Sequence, residues 1–107
     1  MPPKPETWLR VTPNGLYCVP GDFFVDPVLP IERAVVTHGH SDHARAGHRH
    51  VLATPETVAI MRRRHGADGT TTYQALAYGE RLRIGDTTLG LLPAGHVLGS
   101  AQVMIDH

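Results

Sequence analysis

Residues 38–43 read His38-Gly39-His40-Ser41-Asp42-His43, four metal-ligating side chains in six positions. A packed interior has little use for so many imidazoles beside a carboxylate. Such a set suits Zn²⁺ and its neighbours, which take nitrogen and oxygen donors. The cluster also restricts the fold. It directly follows Ala34-Val35-Val36-Thr37, a short apolar and β-branched run that reads as a buried strand. The ligands are therefore expected at a strand end, on a loop held by a sheet.

The rest of the chain supplies such a sheet. Short strand-like runs at Leu9–Val11, Leu16–Val19 and Phe23–Val25 are divided by Pro13-Asn14-Gly15 and Pro20-Gly21-Asp22. Val51–Ala53 is a further strand, and Ser41 or Asp42 could cap a short helix running through Ala46 to Gly47. The clearest helix starts at Thr54, a good N-cap, followed by Pro55 and Glu56, and ends at Gly66. Its last turn carries Arg62-Arg63-Arg64, read either as a solvated end favoured by the helix dipole or as a contact to a phosphate backbone. Arg81–Ile84 and Thr87–Leu92 flank Gly85-Asp86, a two-residue hairpin turn. A loop over residues 93–96 and a strand over Ala101–Ile105 complete an α/β pattern.

Length and charge limit the function classes. The 107 residues allow at most one small domain, taken here as residues 1–107 with a loose Pro-rich start over 1–7. Ten basic and ten acidic residues cancel, so charge alone argues for no nucleic-acid, membrane or acidic partner. The single Cys18 forms no internal disulfide, there is no apolar leader, and no run is long enough to span a membrane. A cytoplasmic protein is expected.

In an extended segment His38 and His40, two apart, project to the same side and can face one metal. Asp42 and His43 sit where the chain turns, which suits a second metal about 3.5–4 Å away. A third ligand for the first metal must come from elsewhere, and His96, between Gly95 and Val97, is the candidate. Asp26 could orient a ligand imidazole through its second nitrogen, or could merely start the turn before Pro27. His48 and His50 read as loop residues, and His65 and His107 receive no role.

Thr37-His38-Gly39-His40-Ser41-Asp42-His43 resembles the signature of the metallo-β-lactamase superfamily of binuclear metal hydrolases. Ala94-Gly95-His96-Val97-Leu98-Gly99-Ser100-Ala101 is similar to the third-histidine loop of its β-CASP nuclease branch. The stretches Gly15–Pro27 and Leu52–Thr57 resemble a bacterial subgroup described as ligase-associated DNA exonucleases or mRNA 3′-end processing factors. The resemblance implies the N-terminal half of an αββα sandwich. It implies His38, His40 and His96 on one Zn²⁺, and Asp42 and His43 on the other, with Asp42 the catalytic residue and Mn²⁺ an alternative metal. It further implies phosphodiester hydrolysis of nucleic acid, DNA before RNA, and a functional association with a DNA ligase. A bridging aspartate, a further histidine and the second half of the sandwich belong to later sequence in that family. The chain is therefore expected to be an N-terminal fragment with little activity alone. Two other functions compete: hydrolysis of a small ester or thioester on the same fold, and a non-catalytic zinc-binding half-domain.

Overall fold

The structure is a computed structural model, and it describes residues 7–40, 43–66, 71–95 and 99–107. Six strands form the first sheet: β1 (Leu9–Thr12), β2 (Gly15–Cys18), β3 (Phe23–Val25), β4 (Arg33–Val35), β5 (His50–Ala53) and β6 (Thr72–Ala75), in that spatial order. β1, β2 and β3 pair antiparallel, whereas β3 to β6 run parallel. Helix α1 (Pro55–His65) connects β5 to β6. A second, antiparallel sheet follows with β7 (Arg81–Ile84), β8 (Thr87–Pro93) and β9 (Ala101–Asp106).

Side-chain alternation along the parallel strands fixes the layers. In β5, Leu52 faces a core shared with Trp8, Cys18, Phe23, Val35 and, from the second sheet, Leu89, Leu91 and Ala101. Its neighbours Val51 and Ala53 face the other way, with Val36, onto Val58 and Met61 of α1. One sheet is thus covered by a helix on one face and by a second sheet on the other. Cys18 is fully buried, and burial raises its thiol pKa, so it acts as core.

Helix α1 has the N-cap, first-turn proline and Gly66 stop expected of it; Thr54 Oγ1 accepts from the Thr57 N–H. The hairpin at Gly85-Asp86 pairs Ile84 with Thr87. Three expectations are corrected. Residues 43–46 hold a single turn and no helix, with the N–H groups of His43 and Ala44 both donating to the His40 carbonyl. His50 is no loop residue, since it opens β5 in register with Arg33 and Thr72. β6 was not expected, because its sequence Thr-Tyr-Gln-Ala lacks an apolar run, and pairing with β5 supplies what propensity does not. Residues 1–6 of the expected loose start lie outside the described residues, whereas Trp8 is buried in the core. Among the described residues no helix is long and apolar enough to cross a membrane.

Candidate metal centre

The carboxyl ends of parallel strands are where open α/β sheets collect ligands, and the histidine motif leaves the carboxyl end of β4. Asp26 leaves the neighbouring β3 with φ of 47°, a left-handed conformation that Asp tolerates better than most residues. Its N–H donates to the Val35 carbonyl (2.9 Å), which stitches the two strand ends together.

The Asp26 carboxylate then gathers the motif. Oδ1 accepts from the Thr37 N–H (2.8 Å), and Oδ2 accepts from the Thr37 hydroxyl (2.6 Å) and from His43 Nδ1 (2.9 Å). A hydroxyl has one proton. Thr37 gives its proton to Asp26, so the contact from His38 Nδ1 to Thr37 Oγ1 (2.8 Å) requires the imidazole to donate. Both His38 and His43 therefore carry their proton on Nδ1 when neutral, which places the lone pair on Nε2. Orientation of imidazoles by carboxylate and hydroxyl partners is the usual preparation for metal binding.

The rings lie close together. The centroids of His38 and His43 are 4.2 Å apart, and those of His38 and His40 are 5.0 Å apart at 79°. The turn at His40 brings His43 back towards His38. Asp26, His38 and His43 offer ligand atoms that all lie within 4.8 Å of one another, so these residues have the chemistry and spacing of a metal site. Three of the roughly four lone-pair directions of Asp26 are already taken by donors. Orientation is therefore a better use of Asp26 than direct ligation. Side-chain exposure is 39% for His43 and 16% for Asp26, so the imidazole is reachable while its partner is sheltered.

Helix α1 buttresses the motif from behind. Arg64 Nη1 donates to the Gly39 carbonyl (2.6 Å), and His65 Nε2 donates to the Ala44 carbonyl (3.0 Å). A Cβ at Gly39 would stand 3.1 Å from side-chain atoms of Ile60, so a larger residue there would make the Ile60 side chain shift by a few tenths of an ångström. The arginine run is thus more than a solvated end: Arg64 holds the motif and Arg62 lies 5.3 Å from the centre of the Tyr73 ring. Asp42 and His96 lie outside the described residues. The segments flanking residue 96 do reach the motif, since the Ala101 N–H donates to the Thr37 carbonyl (2.7 Å).

His48, read as a loop residue, is buried at 1% exposure. Its Nδ1 accepts from the Ile31 N–H (3.2 Å), and Nε2 has no hydrogen-bond partner. Burial, and secondarily His65, lower its pKa. A cavity of about 380 Å³ between the sheets is lined by Arg33, His50 and Thr72, among others, and by none of the motif histidines. The sequence reading missed Thr37, which links Asp26 to His38; its place directly before the motif was the available signal.

No family model matches the sequence. The chain is similar to the flavodiiron protein from Giardia intestinalis, with a TM-score of 0.66 and 15% identity over 84% of this chain. It has the metallo-β-lactamase fold. The layers described above are half of that αββα sandwich. The chain is also 36% identical, over 95 residues and 88% of its length, to a probable DNA ligase of Opitutus terrae. It spans 9% of that ligase and 29% of the flavodiiron chain.

Proposed function

We propose that the chain contributes the His-x-His-x-Asp-His part of a two-metal centre that hydrolyses phosphodiester bonds of nucleic acid, in the manner of the β-CASP-like nucleases. The observation that carries this reading is the Asp26–Thr37 pair, which presents Nε2 of both His38 and His43 at one strand end. In this reading His38, His40 and His96 hold one metal, and Asp42 and His43 hold the other. Zn²⁺ or Mn²⁺ would lower the pKa of bound water towards ~7 and neutralise charge on the phosphate. The protein's own residues orient the ligands: Asp26 and Thr37 fix ring rotation and tautomer, and Arg64 fixes the Gly39 backbone between two ligands. Nucleic acid is favoured over a small ester because the relative at 36% identity is described as a probable DNA ligase. That likeness also motivates a functional association with a DNA ligase.

The test is metal-dependent degradation of single- and double-stranded oligonucleotides by the complete protein that carries this chain. Activity restored by Zn²⁺ or Mn²⁺ after chelation, and lost in His40→Ala, is the expected result. Turnover of a thioester or lactone with none on oligonucleotides would replace the substrate, and unchanged zinc uptake by His40→Ala would remove the ligand assignment.

A further inference from the structure

The parallel strands of the first sheet bring three polar side chains into one row at their amino ends. Arg33 of β4, His50 of β5 and Thr72 of β6 are register partners. Two residues further along β4 and β5, the same face carries Val35 and Leu52 of the core. The row therefore looks towards the second sheet, at the end of β4 opposite to the histidine motif. Between the row and the second sheet lies the cavity of about 380 Å³, whose apolar wall includes Phe23, Leu82, Ile84 and Leu89.

Arg33 is half-buried against this cavity. Among the described residues its guanidinium has no hydrogen-bond or ion-pair partner. The groups around it are engaged elsewhere. Glu32 lies 3.5 Å from Arg49 Nε and 3.7 Å from His50 Nε2. His50 Nδ1 bonds the Thr72 hydroxyl, which in turn donates to the Arg49 carbonyl (3.4 Å). A cation sheltered from water without a counter-charge is destabilising, and a planar fork of N–H donors fits a carboxylate through two parallel bonds. The cavity has roughly the volume of a dozen water molecules, room for a chain of about eight carbons.

We propose that this cavity binds a medium-chain aliphatic monocarboxylate, with its carboxylate on Arg33 and its hydrocarbon against Leu82, Ile84 and Leu89. The proposal is independent of the metal-centre reading, because the cavity shares no residue with the motif. Its combination of apolar walls with one placed cation is that of a small-molecule site. A neutral lipid would leave Arg33 uncompensated, and an inorganic anion would leave the apolar wall uncovered.

The test is calorimetric titration of the complete protein that carries this chain with octanoate, butanoate and octanol. Octanoate is expected to bind at least about tenfold more tightly than octanol. Affinity should rise about three- to fourfold per methylene from butanoate to octanoate. Arg33→Met keeps an unbranched side chain and removes the charge. It should weaken octanoate about 10–100-fold and leave octanol within about twofold. No binding of millimolar octanoate overturns the proposal, and is the result if another segment of the complete protein fills the cavity. Equal binding by Arg33→Met overturns it as well, as does an affinity indifferent to chain length, which marks a surface anion contact only. Should Arg33→Met fail to fold, the ratio of octanoate to octanol affinity in the wild type decides, and a ratio near one overturns the proposal.

Discussion

His38 and His43 at one end of the first sheet, and His48 beneath its loops, are the same side chain put to opposite uses. In the motif each Nδ1 donates, to Thr37 and Asp26, and Nε2 keeps the lone pair. In His48, Nδ1 accepts from Ile31, so the proton of the neutral ring sits on Nε2, buried with no hydrogen-bond partner. Under the proposed reading, the first arrangement orients the ring for a metal ion. The second is an imidazole used as a packing unit with one backbone bond. What the backbone or a carboxylate presents to Nδ1 decides which role follows.

The contrast is broken most severely at Asp26. Asp26→Asn tolerates the same backbone angle but turns one acceptor into an amide donor, which Nδ1–H of His43 cannot use. Zinc affinity is expected to fall about 10–100-fold by competition titration, and nitrogen chemical shifts of the apo protein should show His43 changing tautomer. Next, His48→Ala should cost about 2–3 kcal/mol in urea unfolding, from the cavity and the lost Ile31 bond. Because His48 lies outside the motif, zinc affinity per folded molecule should stay within twofold.

The pH response sharpens the same division. Burial holds the folded-state pKa of His48 below its ordinary value, so the unfolded chain takes up that proton first. The stabilisation is full above the unfolded value, about 6.5, and is lost as pH falls through the lower folded value. Thermal melts of the apo protein from pH 7.5 down to 5 should show a falling Tm. His48→Gln, whose amide oxygen can still accept from Ile31, should flatten that slope. The smallest effect is expected at His50, an exposed ring beside Thr72 and 3.7 Å from Glu32. His50→Gln should alter unfolding free energy by no more than about 0.5 kcal/mol.

Local chemistry made α1 legible from sequence, because cap, proline and glycine stop act within a few residues of one another. The β7–β8 hairpin was legible for the same reason. β6 was not, since Thr72–Ala75 becomes a strand only by pairing with β5 across a helix. Asp26 could be read two ways because its partners stand 11 and 17 residues away, and no local pattern links them. The helix expected after Ser41 failed because the described part of that segment makes one turn on the His40 carbonyl and then runs on to bury His48. His38 and His40, two apart in sequence, do bring their ring centroids to within 5.0 Å of each other.

The bond from Ala101 to Thr37 has a temporal meaning as well as a spatial one. In a chain made from its amino terminus the histidine motif is complete at residue 43, long before residue 101 exists. Contacts so distant in sequence form late, after the entropy of closing the intervening chain has been overcome. The motif is therefore translated early and braced late. On the proposed metal-centre reading, capture of a metal ion at the fully braced site would follow docking of the second sheet, and the rate of metal loading during refolding would report when that sheet arrives.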